Sequence, residues 1–267
     1  MVAQDAAMTG PPKVLVIQRE FVKPGRSGSM HEKSESAFVN AMVAAKWPTH
    51  YFAASSMSGR PRVLFFVGYP SFEAWEKDNH AMAKNATLSA AFDRASIADG
   101  DLLTEFEQSV FTFDPDNSLH TGDIVNSRYF EISQYRVKPG HRKDWMDLVK
   151  LYKEGFDKIP TANWALFDSY YGQDNGGMYI AISKMTSLAE DDASMNDDKK
   201  LADKLGASGM KKLAELSAAC IESVSTNLFE FSPKMSYPSD EWIKADPFWK
   251  PKAAMAAKKP AAAPATP

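Results

Sequence analysis

The sequence contains a single cysteine, Cys220, among 267 residues. No intramolecular disulfide can form, and a thiol set in the helical-looking run from Leu213 to Ile221 reads as a buried, inert side chain. A cationic surplus is also missing: 31 basic residues face 34 acidic ones, for a formal net charge of -3. Little is left to hold a phosphate backbone, so nucleic acid is not an expected partner. Apolar runs such as Val63 to Val67 are short, far below the roughly 20 residues of a membrane-spanning helix. No charged-then-apolar leader opens the chain; the loose polar start from Met1 to Ala7 fits a cytoplasmic protein, or an exported one whose leader has been removed.

Several chemical signatures are lacking as well. His31, His50, His80, His120 and His141 do not pair with a second His or Cys at ligand spacing, so no metal site is expected. The acidic blocks Glu190-Asp191-Asp192 and Asn196-Asp197-Asp198 lack the alternating ligands of a calcium loop and read as a solvated loop or helix start. Gly172 to Gly177 sits between two strand-like runs without a Gly-Lys-Ser/Thr ending, which makes it a hairpin connector. There is no Gly-x-Ser-x-Gly elbow, and Cys220 has no obvious His or Asp helper.

What is present is a hydrophobic content of 44%, with 12% aromatic residues, enough to bury a substantial core, and an internal repeat. Val22-Lys23-Pro24-Gly25-Arg26 recurs 115 residues later as Val137-Lys138-Pro139-Gly140-His141. Trp47-Pro48-Thr49 returns as Ile159-Pro160-Thr161 at an offset of 112, and Val110-Phe111-Thr112-Phe113-Asp114-Pro115 returns as Leu228-Phe229-Glu230-Phe231-Ser232-Pro233 at 118. Between these landmarks both copies show a strand, a helix, two strands in hairpin order, a broken helical region and a closing strand. The first helix carries Phe38, Val39, Met42 and Val43 in one copy, and Trp145, Leu148, Val149, Tyr152, Phe156 and Ile159 in the other. Pro48 and Pro160 end these helices. The closing strands are expected at Ser109 to Phe113 and Ser225 to Phe231. The order strand-helix-strand-strand-helix-strand, twice over, is ferredoxin-like.

Such a unit covers one face of its sheet with helices and leaves the other bare. Here Val63, Phe65 and Val67 alternate with Leu64 and Phe66, so both faces are apolar. Each such side chain left in water forgoes about 1.5 kcal/mol. The expectation is an α+β protein in which two ferredoxin-like repeats pack sheet to sheet. The segments are a flexible N-terminus (1–11), a first repeat (12–118), a second repeat (119–234), an aromatic arm (235–252) and an Ala/Pro/Lys tail (253–267).

The two Val-Lys-Pro-Gly turns, the element order from Lys13 to Pro233 and the motif Ser71-Phe72-Glu73-Ala74-Trp75 make the chain resemble the dimeric α+β barrel superfamily. That group includes the antibiotic-biosynthesis monooxygenase and NIPSNAP-type domains, and this chain resembles a fused tandem of them. The resemblance implies a small apolar or aromatic ligand and an oxygenase-like or isomerase-like activity without a cofactor. It also implies a possible homo-oligomer. Haem enters only through a haem-degrading branch that uses an Asn on the first strand plus a Trp and a His near the second helix. Trp75 and His80 are placed for this, but Gln18 is the nearest polar residue to the absent Asn.

The candidate catalytic residues are therefore His80, Glu131 and Asp168, the last two being carboxylates on strands that otherwise read as core. Gln18, Tyr51, Trp75 and Tyr170 are candidate substrate contacts. A non-catalytic module associating through sheet edges or through the arm from Tyr237 to Trp249 is the alternative. A cavity lined by Gln18, Trp75 and His80 is expected if a ligand is bound.

Overall fold

The local punctuation of the chain sets where its elements begin and end. In each Lys-Pro-Gly turn the glycine takes a positive φ (77° at Gly25, 85° at Gly140), a conformation open to Gly at no steric cost. The turn closes through Arg26 N donating to Lys23 O (3.0 Å) and His141 N to Lys138 O (3.1 Å). The computed structural model describes residues 10–122, 124–172 and 177–250. Nearly all of the expected N-terminal segment, the expected tail and the middle of the Gly-rich connector lie outside the described residues.

Each turn joins a first strand to a first helix: β1 (Val14–Val22) to α1 (Ser29–Ala45), and later β5 (Tyr129–Val137) to α4 (Arg142–Phe156). Between them come β2 (Tyr51–Ser56), β3 (Arg62–Tyr69), α2 (Phe72–Lys84), α3 (Ala86–Gly100) and β4 (Leu103–Leu119). After α4 follow β6 (Trp164–Tyr171), β7 (Met178–Met185), α5 (Ala189–Ser194), α6 (Asp197–Cys220) and β8 (Ile221–Tyr237). The chain continues through α7 (Asp240–Ala245) to a short turn of 3-10 helix, Pro247–Trp249. Ser71 caps α2 by accepting from Ala74 N, and Asn85 both ends α2 and caps α3 by accepting from Leu88 N. Gly206, at φ 63° and ψ 178°, breaks α6.

The strands form one closed antiparallel barrel in the order β1-β3-β2-β8-β5-β7-β6-β4. The halves therefore do not merely face each other: their edges hydrogen-bond, β2 to β8 and β4 to β6. This explains why the closing strands are each 17 residues long and not the five to seven expected. The first part of β4 pairs with β1 and its second part with β6; β8 likewise pairs with β5 and then β2. The partner changes over Val110–Thr112 in β4 and over Phe229–Glu230 in β8, and a few residues further on each new pairing slips register at a bulge that contains a proline, Pro115 or Pro233.

Both bulges are held by the same device. Ser118 Oγ donates to Asp114 O (2.6 Å) and accepts from Leu166 N (2.9 Å). Ser236 Oγ donates to Ser232 O (2.6 Å) and accepts from Ala53 N (2.8 Å). A bulge is tolerated where the freed backbone groups find such partners. Other contacts also recur: Lys23 N donates to Leu102 O and Lys138 N to Cys220 O, both at 2.8 Å. Thr49 Oγ1 donates to Asp78 (2.7 Å) and Thr161 Oγ1 to Asp197 (3.1 Å).

Strand alternation sends Leu15, Ile17, Leu64, Phe66, Phe111, Phe130, Phe167 and Phe229 into the barrel interior. Val63 and Phe65, or Leu166 and Tyr179, point outward, where helices and loops cover them. One end of the barrel is plugged by Trp249, fully buried, whose indole N–H donates to Val125 O at 2.6 Å. Trp242 and Phe248 pack against it, and Arg128 pairs with Asp246 at 2.6 Å. Among the described residues no helix is long and apolar enough to cross a membrane.

Candidate functional site

Among the described residues two cavities stand out. The smaller, about 400 Å³, lies between the outward face of the second-half strands and helices α4 to α6. Aromatic side chains make much of its wall: Tyr135 and Trp164 from the strands, Trp145, Tyr152 and Phe156 from α4. They are there because α4 places Trp145, Leu148 and Val149 on one buried face, the stripe its apolar spacing predicts. The indole N–H of Trp145 is buried without a hydrogen-bond acceptor, and an unpaired buried donor is costly. Glu131 lines the same cavity from β5, half-buried. Its carboxyl is pushed above the usual range by loss of water and then by the negative charge of Asp191.

The larger cavity, about 720 Å³, opens between the barrel and the arm. Its walls are mainly apolar, with Phe52, Phe66, Phe130 and Phe167 from the strands and Trp242 and Ile243 from α7. Tyr51 lines it, packed against Phe65 and Tyr237. Burial, followed by the charges of Glu35 and Glu20, drives its phenol far above the ordinary value.

The residues singled out from the sequence are scattered. Glu131 and Tyr51 line different cavities, and Gln18, Trp75, His80, Asp168 and Tyr170 line neither. The expected Gln18–Trp75–His80 cavity is therefore not one of the two: Gln18 hydrogen-bonds Gln108 (3.0 Å), and Trp75 packs over Tyr69 and Phe72. His80 is exposed on α2. The spacing that put it near Trp75 places it on the helix's solvent side, so a haem held by His80 does not fit this arrangement. Asp168 is half-buried and paired with Arg142 at 3.2 Å; desolvation raises its carboxyl and Arg142 opposes that rise. Tyr170 is exposed and meets Trp75 only through Phe72, whose ring lies 5.0 Å from it.

A different polar cluster emerges from the fold. Glu20 of β1, His31 and Glu35 of α1, and Asp99 of α3 are all buried, each offering one donor atom within 4.8 Å of the others. His31 Nε2 lies 2.9 Å from Glu20, 3.5 Å from Asp99 and 3.8 Å from Glu35. Loss of water and the charges of Glu20 and Asp99 push the Glu35 carboxyl up to about 10. The spacing of His and Cys residues carries no trace of this group. The available signal was His31 and Glu35 at i and i+4, on the stripe that continues as Val39 and Met42. Val43, expected on that stripe, is 54% exposed.

No family model matches the chain, and no curated protein matches it. Solved structures do. A proposed monooxygenase of Fusobacterium nucleatum is similar at 13% identity and a TM-score of 0.53, over 84% of this chain and 93% of that one. An anthrone oxidase-like protein is similar at 15% identity and a TM-score of 0.53, over 84% and 94%. A chlorite dismutase of Candidatus Nitrospira defluvii gives 12% identity and a TM-score of 0.49, over 88% and 95%. At such identities the likeness is one of fold, an α+β chain whose strands close into one antiparallel barrel.

Proposed function

We propose that this chain is an oxygenase-like enzyme without a cofactor, acting on a small electron-rich aromatic compound bound in the cavity over β5 to β7. The observation that carries the reading is the Trp145 indole N–H, buried without an acceptor in a wall that also holds Glu131. Glu131, its proton affinity raised by burial, is the group that removes a proton from a phenol or an activated C–H. Trp145 N–H donates to the oxygen on which negative charge then accumulates. The resulting anion is the species able to react with dioxygen. The fold's similarity to a proposed monooxygenase and an anthrone oxidase-like protein supports an oxygenase-like reading.

The reading includes a duplicated origin, two ferredoxin-like repeats over 12–118 and 119–234. The paired turns, bulges and threonine–aspartate contacts support it. An interaction module has less to work with: the strands close into a barrel, and Trp249 of the arm is buried in its own chain.

Oxygen uptake and tryptophan fluorescence with polycyclic phenols test the proposal. Trp145→Phe is expected to weaken binding by about tenfold, the loss of one hydrogen bond worth roughly 1.4 kcal/mol. Glu131→Gln is expected to lower oxygen uptake about 100-fold with little change in binding. Binding and turnover untouched by both substitutions would place any activity elsewhere.

A further inference from the structure

We propose that Glu20, His31, Glu35 and Asp99 form a binding site for one divalent first-row transition ion, Mn²⁺, Fe²⁺ or Zn²⁺, which fastens β1, α1 and α3 together. The donor set is one imidazole nitrogen and three carboxylate oxygens, a mixture these ions accept. Donor atoms about 2.1 Å from a tetrahedral ion stand about 3.4 Å apart. The oxygens around His31 Nε2 stand at 2.9, 3.5 and 3.8 Å, which brackets that spacing.

Hydrogen bonding within the cluster does not satisfy it. A single ring nitrogen faces three carboxylates and can donate one proton, and its short contact is with Glu20. Glu35 Oε1 and Asp99 Oδ1 are buried without a hydrogen bond, with His31 Nε2 no nearer than 3.8 and 3.5 Å, on side chains only 4% and 3% exposed. Ionised, three carboxylates around one imidazole and shut away from water would lack a counter-charge. A divalent ion supplies both the charge and the missing partner for each oxygen.

The other half of the molecule shows what this position holds without such a site. Between β5, α4 and the end of α6 lie Val137, Trp145, Leu148 and Cys220, an apolar cluster. Tyr135 stands where the repeat offset of 115 places the counterpart of Glu20. Apolar packing is thus sufficient in this layer, and the first half has four ionisable groups instead. All four donors come from the protein and all are buried, the arrangement of a structural ion with no position left for substrate.

The test uses the full chain, stripped with a chelator, desalted, and loaded separately with Mn²⁺, Zn²⁺, anaerobic Fe²⁺, and Co²⁺ as a spectroscopic probe. One equivalent retained per chain, a rise in Tm and Co²⁺ absorption bands are expected. His31→Ala and Glu35→Gln should each weaken retention at least tenfold, while His80→Ala, which removes an exposed histidine, should not. X-ray absorption of the Zn²⁺-loaded wild type needs no variant and should report one nitrogen and three oxygens. A stripped wild type that retains no ion at 100-fold excess would leave the cluster a proton-sharing network and overturn the site. So would retention that survives both substitutions, retention lost with His80→Ala, or a ligand shell without nitrogen.

Discussion

Glu131 illustrates how far a single residue can be read in advance. A carboxylate on an otherwise apolar strand signals a perturbed group, and desolvation does raise it. The consequence for stability has a definite sign. The folded state keeps the Glu131 proton over a range of pH in which the unfolded chain, with its ordinary value near 4.5, has already lost it. Its contribution is therefore fully present below that value and is lost as pH rises through the higher folded value. Urea unfolding of wild type and Glu131→Gln at pH 4 and pH 7 should show a smaller loss on raising the pH in the variant. Equal losses would show that Glu131 titrates normally. Asp168 offered the same sequence signal, yet Arg142 stands beside it at 3.2 Å. Which carboxylate meets a cation and which meets a cavity depends on the neighbouring helix, and strand alternation carries no information about that.

At the scale of elements, the recurring landmarks turn out to be contacts. The threonines after Pro48 and Pro160 hold aspartates, and the Pro-Gly turns deliver lysine backbone amides to carbonyls just before β4 and β8. Ser118 and Ser236 belong to none of the recurring motifs, although both follow their Pro by three residues. Their role exists only across strands, since each bridges a bulge to a strand of the other half. Ser236→Ala leaves Ala53 N–H buried without its acceptor and should cost about 1–3 kcal/mol in chemical denaturation. Ser118→Ala should cost a similar amount. The two sites share no partners, so the double variant should add to within about 0.5 kcal/mol. Losses under about 0.5 kcal/mol for both would mean that water satisfies the bulges equally well.

For the whole molecule, the apolar character of both strand faces demanded a second layer inside as well as outside, and the barrel supplies it. Closure also uses the sheet edges, which removes a ready surface for pairing with other chains. The arm completes the barrel at one end. Trp249→Ala removes a fully buried ring in contact with Phe231, Trp242 and Phe248 and should cost about 3–5 kcal/mol. The expected readout is a clear drop in thermal midpoint. An unchanged midpoint would mean that the arm rests on the barrel without stabilising it.

The element order, the recurrence of short motifs and the need to bury both faces of the strands are legible in the chain, because they follow from spacing and solvation along a local stretch. Long-range packing settles the rest: that the edges join into a barrel, that β4 and β8 run long enough to pair on both sides, and that Glu20, His31, Glu35 and Asp99 meet. Residues up to 79 positions apart are brought within ångströms by helices folding back onto a sheet, and no local rule encodes that distance.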